Sequence, residues 1–303
     1  MTRLLMLLGI IIVLILPLKT RAMDDTQLFI VGSTSMAQVL EVVKHQFHQD
    51  KGIKILVRPI GSDKGVVSIA EGLSDIGIVS RFLTEQETSK WPYLTQIAIG
   101  QDAIVFLVNA QNPITNLNAA EVRGMYTGAL LNWQDIAQPP DNHYKALDDD
   151  IMLLSKAKRH GTHSAFIDYF GLNSSLANGQ QNKLTFKKEG INNLYAKKHT
   201  YIFNKIHQAF GSVSRQTNAI AFESLGAFTI FSRSQNTAFI KILSLNQRAP
   251  MIGRRINPNY EFKRPLNIII NQHPSKQTTQ FIEYMLSTKG QKMLTDNGYF
   301  PLD

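Results

Sequence analysis

The sequence predicts an α/β fold, and three observations support this prediction. Short apolar runs alternate with amphipathic stretches along much of the chain, which is the pattern of strands followed by helices. The 303 residues match the length of about two ordinary domains. Hydrophobic residues make up 44% of the chain and charged residues 18%, so there are enough apolar side chains for a packed core.

The first strand and helix are the clearest elements. Residues 28–31 form a short apolar run that predicts a buried strand. Residues 32–35 combine a glycine with three hydroxyl residues, which is typical of a turn and a helix N-terminus. The apolar side chains that follow recur at the spacing of one helix face; they are Met36, Val39, Leu40, Val43 and Phe47.

The same plan is repeated downstream. A strand over residues 53–60 is followed by a loop over residues 61–65 and a helix face over residues 66–73. A third strand near residues 75–80 ends at Ser80 and Arg81. Residues 103–108 are so apolar that we expect this strand to be central in a sheet.

The remaining elements are less regular. In chain order they are a helix over residues 119–126 capped by Asn118, loops over residues 139–142 and 148–150, a strand over residues 151–155, a helix capped by Thr162 and ended by Gly171, a polar surface stretch over residues 173–193, and strands over residues 219–222 and 266–270. A final helix over residues 275–287 is expected to bury Phe281, Ile282, Met285 and Leu286.

The N-terminus has the features of a secretory leader. Residues 4–16 are a run of apolar or small side chains that is too short for a comfortable membrane span, and cleavage after Ala22 is expected. Lys19 and Arg21 are unusual so close to a cleavage site, which leaves an uncleaved anchor as the alternative. The sequence therefore predicts a signal peptide over residues 1–22 and a mature protein in the periplasm.

Composition limits the chemistry. The chain has no cysteine, which excludes disulfides, thiolate metal sites and a thiol nucleophile. Its net charge of +9 suits an anionic partner. No dense cluster of Lys and Arg interleaved with aromatic residues is present, so nucleic acid is not expected as a partner.

Hydroxyl or glycine residues stand at the start of three predicted helices. These junctions lie at residues 33–35, at residues 61–65 and at Gly161 with Thr162. A helix N-terminus carries free N–H groups and the positive end of the helix dipole, so it binds anions, although Ser and Thr also cap helices without any ligand. In an α/β sheet such loops gather at the carboxyl ends of the strands, where ligands bind.

Several segments, in this order, resemble the phosphate-binding proteins that serve ABC importers, within the type II periplasmic binding proteins. The segments are residues 31–35 (VGSTS), 61–65 (GSDKG), 74–81 (SDIGIVSR), 126–128 (YTG) with Asn132-Trp133, 161–166 (GTHSAF), 219–222 (AIAF), 287–291 (STKGQ) and 298–302 (GYFPL). The resemblance implies two α/β lobes joined by two crossing hinge strands, with an anion in the cleft between them. The implied lobes are residues 23–104 with 266–303, and residues 105–265.

The resemblance also implies which residues of the first lobe bind the anion. Thr34, Ser35 and Ser62 would offer hydroxyls and amides from helix N-termini. Ser80 stands where the best-known members have an aspartate that accepts the proton of hydrogen phosphate. Arg81 could bind the anion with its planar fork; the alternative is an ion pair or a contact between the lobes.

The second lobe departs from the family pattern, in which an arginine is followed by three residues and then by Ser-Gly-Thr. Lys156 stands at the arginine position and His160 at the serine position, before Gly161 and Thr162. Lysine is a point charge without the arginine fork, so Arg159 nearby is a second candidate. His160 can donate to an anion and would be cationic below about pH 6.5.

The implied function is capture of inorganic phosphate or a related oxyanion and its delivery to an inner-membrane ABC permease, by a monomer without metal or cofactor. The departures at Lys156 and His160 keep open an exported interaction or sensory protein on the same fold. An enzyme is not expected, because the sequence lacks nucleophile-elbow, Walker and dinucleotide motifs. His45 with His48, and His160 with His163, have metal-ligand spacing but no evident further ligands.

Overall fold

The computed structural model describes residues 27–136, 149–177, 180–189, 200–253 and 255–301. The predicted leader and the loop at residues 139–142 lie outside these residues. The strands are β1 (Gln27–Gly32), β2 (Lys54–Pro59), β3 (Ile76–Val79), β4 (Thr95–Asn109), β5 (Asn116–Leu117), β6 (Met152–Lys156), β7 (Leu172–Ala177), β8 (Gln180–Lys188), β9 (Thr200–Phe203), β10 (Ala219–Ser224), β11 (Ile240–Leu245), β12 (Met251–Ile252), β13 (Arg255–Ile256) and β14 (Lys263–Ile270). The helices are α1 (Thr34–Lys51), α2 (Ser62–Ala70), α3 (Glu85–Lys90), α4 (Ala119–Thr127), α5 (Gly161–Phe170), α6 (Ile206–Arg215), α7 (Leu225–Ser234), α8 (Lys276–Leu286) and α9 (Thr288–Asp296).

The first lobe is built on a sheet with the order β2-β1-β3-β14-β4. Strands β1, β2 and β3 are parallel, and β14 runs antiparallel to both β3 and β4. The predicted apolar face of α1 is fully buried against this sheet. At the end of β1, Gly32 has φ of 142°, and a Cβ there would lie 2.1 Å from the carbonyl oxygen of Ile78, so only glycine fits this turn.

The second lobe continues the same curled sheet through β4, β10, β6, β9, β8 and β7. Strands β10, β6 and β9 are mutually parallel, and β7 and β8 form an antiparallel hairpin at the end. Its core is a separate hydrophobic cluster in which Phe166 of α5 stacks on Phe222 of β10 at 4.1 Å between ring centroids. Each lobe therefore has its own hydrophobic core, as independent folding units require.

Two crossing segments connect the lobes. Strand β4 pairs with β14 over residues 95–103 and with β10 over residues 104–108. The chain returns at Phe262, whose carbonyl accepts a 2.9 Å hydrogen bond from the N–H of Ile104, and then enters β14. The predicted two-lobed α/β fold with two hinge strands is confirmed. The lobe boundaries near residues 104 and 265 stay a prediction, which the change of strand partners supports.

Two local predictions are wrong, and one stretch has more regular structure than predicted. Helix α2 begins at Ser62, four residues early, because the N–H of Gly65 already bonds the carbonyl of Gly61 at 3.1 Å. The predicted surface stretch from residue 173 is mostly exposed or half-buried over its described residues, but it forms the unpredicted β7–β8 hairpin, which buries Leu184 and Phe186. Leu286 is 41% exposed, since α8 ends there and α9 follows.

Within the described ranges, no helix combines the length and the apolar character that a membrane span needs.

Candidate functional site

The N-termini of three helices face the cleft between the lobes. Helix α1 follows β1, α2 follows β2 and α5 follows β6, each after only one to four intervening residues. The first amides of each helix have no partner inside the helix, so they are available to a ligand at this edge of the sheet. Helix α1 has Ser33 as its N-cap, and the Ser33 hydroxyl accepts the N–H of Met36 at 3.3 Å.

Buried hydroxyls of the first lobe form one cluster. Ser33 Oγ contacts Ser80 Oγ, and Ser35 Oγ lies 3.1 Å from Ser33 Oγ and 3.3 Å from Ser80 Oγ. Ser62 Oγ accepts the backbone N–H of Ser80 at 3.1 Å. A hydroxyl both donates and accepts, so these side chains can turn their hydrogens toward an anion without moving the backbone. Sequence reasoning identified Ser33 only as a cap.

The second lobe meets this cluster at the start of α5. A Cβ built on Gly161 would lie 2.8 Å from Ser62 Oγ and 3.0 Å from the carbonyl oxygen of Ser80. Glycine therefore permits the close approach of the two lobes. Thr34 Oγ1 is 3.3 Å from His160 Nδ1. The N-cap of α5 is His160, so the predicted cap at Thr162 is wrong; Thr162 lies in the first turn.

A buried arginine that sequence reasoning missed joins both sides of the cleft. Arg264 of β14 donates from Nη1 to Thr162 Oγ1 and from Nη2 to Ser35 Oγ, both at 2.7 Å. Its Nη2 also forms a 2.8 Å ion pair with Asp102 of β4. Arg264 and Asp102 carry no motif, but each is a charged residue at the end of a strongly apolar strand segment, which was the available signal.

Arg81 is held by carboxylates of its own lobe. Its guanidinium makes two 2.8 Å hydrogen bonds to Glu87 and a 2.7 Å bond to Asp63. Burial raises the pKa of Glu87, but the hydrogen bonds from Arg81 and Thr84, together with the charge of Arg81, outweigh it and leave that pKa below its usual value. The structure therefore shows the ion pair, which was the alternative role for Arg81.

Lys156 is also engaged in an ion pair. It is 1% exposed, contacts Glu223 of β10, and places Nζ 4.6 Å from the ring centroid of Phe203. Burial lowers the pKa of Lys156, and Glu223 opposes that effect. Lys156 stands where the family pattern has arginine. Its charge is thus balanced by Glu223 inside the second lobe.

His160 stays neutral well below pH 6.5, contrary to the expectation that it becomes cationic there. Burial, together with the charges of Lys156 and Arg159, lowers the pKa of His160 to about 3. In the described part of the chain, no group of three or more His, Asp and Glu side chains is placed to hold a metal ion. The polar groups that meet at the site are hydroxyls, amides and the guanidinium of Arg264 with its partner Asp102.

A groove of about 1270 Å³ lies between the lobes. Residues from both lobes and from β14 line it, among them Arg81, Asp168, Tyr169 and Arg264. Arg264 belongs both to this groove and to the contacts described above, whereas Ser35, Ser62, Ser80 and Thr162 do not line the groove.

Comparison with known proteins agrees with this architecture. The phosphate-binding protein PstS of Borreliella burgdorferi is 24% identical over 271 residues, which cover 88% of this chain and 87% of the relative. An ABC transporter substrate-binding protein from Clostridium perfringens, solved with bound phosphate, has a TM-score of 0.73 and 22% identity over 91% of this chain and 100% of that structure. An ABC-type phosphate transport receptor from Vibrio cholerae has a TM-score of 0.65 and 23% identity, with the same coverage.

The family model described as the PBP superfamily domain matches residues 19–289. This match takes in both lobes, both hinge segments and all the helix N-termini that face the cleft. The chain therefore belongs to the PBP superfamily.

Proposed function

We propose that this protein is a solute-binding protein that captures inorganic phosphate or a related oxyanion and delivers it to an ABC importer. The observation that carries the proposal is the convergence of Ser35 from one lobe and Thr162 from the other on the single buried guanidinium of Arg264. Three helix N-termini lie close together there, since Gly161 of α5 lies against Ser62 of α2 and Thr34 of α1 is 3.3 Å from His160. The relatives named above, which are described as phosphate-binding, support phosphate as the anion.

The binding energy follows from the donors. Micromolar affinity needs about 8 kcal/mol, and a hydrogen bond to a charged group contributes roughly 1.5–3 kcal/mol. About four or five well-directed donors therefore supply enough free energy of binding. The cost of closing the lobes is subtracted from what they supply. The proposed donors are hydroxyls and amides at Thr34, Ser35, Ser62, Ser80, Gly161 and Thr162, with His160 as a neutral partner.

The contacts between the lobes connect binding to delivery. Donors from both lobes reach one ligand only when the lobes are closed, so the ligand favours the closed form. We propose that the closed monomer is the form presented to an inner-membrane permease, and that the leader over residues 1–22 directs the protein to the periplasm.

Calorimetry of the mature chain, starting at Met23, tests the function. Phosphate, arsenate, sulfate, a phosphonate and a carboxylate are titrated separately. We expect phosphate to bind with micromolar or tighter affinity and the carboxylate to give no heat. Ser62→Ala combined with Thr162→Val should abolish phosphate binding, whereas Ser232→Ala, on the distant α7, should not.

Two results would overturn the proposal. No heat with any oxyanion, together with specific capture of an envelope protein, would favour the sensory or interaction protein that the departures at Lys156 and His160 leave open. Release of phosphate from a chromogenic ester, lost in the Ser62→Ala and Thr162→Val variant, would instead indicate an enzyme.

A further inference from the structure

Arg264 occupies an unusual place for a charged residue. Its side chain is 1% exposed, and it lies on β14 directly opposite Asp102 in the register with β4. Both strands belong to the segments that join the lobes. Asp102 Oδ2 accepts from Nε at 3.1 Å and from Nη2 at 2.8 Å, which fixes the plane of the guanidinium.

The rest of the guanidinium is directed at the two lobes. Nη2 donates to Ser35 Oγ of the first lobe, and Nη1 donates to Thr162 Oγ1 of the second. These bonds and the two to Asp102 involve four of the five N–H groups of an arginine. Asp102 in turn is held by Ser224 Oγ at 3.0 Å and by the N–H of Gly226 at 3.4 Å.

We propose that Arg264 is the cationic residue of the anion site, in place of Lys156 and Arg81, and that it orients the hydroxyls of Ser35 and Thr162 as donors to the ligand. This inference rests on the proposed function and names the residue that supplies its charge.

The direction of the hydrogen bonds supports the orienting role. An arginine can only donate, so Ser35 Oγ and Thr162 Oγ1 are acceptors in their bonds to Arg264. The hydrogen of each hydroxyl must then point away from Arg264. That of Thr162 can point to an acceptor in the cleft, and that of Ser35 can point to such an acceptor or to Ser33 Oγ and Ser80 Oγ, which lie 3.1 and 3.3 Å away. A charge-assisted bond to the oxygen also polarises the hydroxyl and strengthens its own donation.

The rival cations are engaged elsewhere. Lys156 pairs with Glu223 inside the second lobe, and Arg81 pairs with Glu87 and Asp63 inside the first. Among the described residues, Arg264 is the arginine whose guanidinium donates hydrogen bonds to hydroxyls of both lobes. Because it is anchored on β14, its bond to Thr162 exists only when the second lobe has closed, so charge recognition and closure depend on the same side chain.

The test measures phosphate binding by calorimetry in the mature protein. In the first variant, Arg264→Gln is combined with Asp102→Asn, which removes both charges and leaves no buried ion without a partner. We expect this pair to remain folded by circular dichroism and to bind phosphate about 100-fold more weakly. The single variant Arg264→Lys keeps the positive charge but lacks the planar guanidinium. It should therefore bind phosphate more weakly than the wild type and more tightly than the neutral pair. The control is Arg248→Gln with Glu261→Gln, an exposed pair, which should bind as the wild type does.

The outcomes are separable. Equal phosphate affinity in the wild type and in the neutral Arg264 and Asp102 variant overturns the inference and leaves the proposed function intact. The inference is also overturned if the double variant Lys156→Met with Glu223→Gln loses phosphate binding while the Arg264 variants keep it. If the neutral pair fails to fold, Arg264→Lys decides: affinity about 10-fold weaker supports the inference, and unchanged affinity refutes it. No phosphate binding by the wild type overturns the proposed function and the inference together.

Discussion

Thr34 Oγ1 and His160 Nδ1 lie 3.3 Å apart, although one belongs to the first lobe and the other to the second. His160 is 3% exposed and His163, one helical turn further, is 1% exposed. Both imidazoles are buried between polar neighbours that supply no negative charge: Thr34 faces His160, and Ser174 Oγ lies 2.7 Å from His163 Nε2. His160 therefore meets the first lobe as a neutral side chain, whereas His163 is buried inside the second lobe.

These two histidines should make the protein sensitive to acid. Burial lowers the pKa of His160 to about 3 and that of His163 to about 4, whereas the unfolded chain has values near 6.5. Below pH 6.5 the unfolded state binds more protons, so the free energy of unfolding falls as pH falls from 6.5 toward 4. We expect a loss of about 1 kcal/mol per pH unit for each histidine in this window.

Urea unfolding between pH 7 and pH 4.5 measures this effect. His160→Asn and His163→Asn should each flatten the pH dependence, and the exposed His45→Asn should leave it as in the wild type. An identical slope in all four proteins would mean that neither buried histidine controls the acid response.

The close approach at Gly161 predicts a steric effect on binding. Alanine there would place Cβ 2.8 Å from Ser62 Oγ and so hold the lobes apart. Overpacking of this kind costs about 1–3 kcal/mol, so Gly161→Ala should weaken phosphate binding roughly 10- to 100-fold. Small-angle scattering with phosphate should show a larger radius of gyration than in the wild type. Gly211→Ala, on α6, is the matched control; an equal loss there would remove the steric explanation.

Local sequence patterns were sufficient to predict helix α1. The apolar stripe of α1 and the cap at Ser33 were predicted because both depend on residues within a few positions of each other. The pair of Arg264 and Asp102 was not, because it joins residues separated by 162 positions through the register of β14 and β4. The resemblance placed Lys156 and Arg81 at the anion, but it could not show that Glu223 and Glu87 lie beside them in three dimensions.

The pair of Lys156 and Glu223 should behave as a buried structural unit. Both side chains are at most 1% exposed, so removing one partner leaves a charge without compensation. Lys156→Met is expected to lower the free energy of unfolding by about 3–5 kcal/mol. Lys156→Met with Glu223→Gln should recover most of this loss in urea unfolding. A double variant as unstable as the single one would show that the two residues act independently.

Arg81 should contribute to stability more than to ligand affinity. Loss of its bonds to Glu87 and Asp63 in Arg81→Gln is expected to cost about 2 kcal/mol in the free energy of unfolding. Phosphate affinity should change by less than about threefold, because the guanidinium is bonded to Glu87 and Asp63 and makes no contact with the hydroxyls of the site. Glu87→Gln removes the same pair and serves as the matched variant. A large loss of affinity in Arg81→Gln alone would instead place Arg81 at the anion.

The hydroxyl at Ser80 predicts weak discrimination between phosphate and sulfate. Hydrogen phosphate carries a proton that an unpaired carboxylate would accept, and sulfate at neutral pH carries none. Ser80 is buried among Ser33, Ser35 and Ser62, and a hydroxyl can donate to either anion. The carboxylate of Asp102 already accepts from Arg264, Ser224 and Gly226. We therefore expect sulfate to bind within about 10-fold of phosphate at pH 8, a difference of no more than one lost hydrogen bond.

Competition calorimetry measures the ratio of the two affinities, with a monocarboxylate as the control anion. Rejection of sulfate by a factor of about 1000 would require a proton acceptor at the anion, and His160 would then be the residue to test, by His160→Asn.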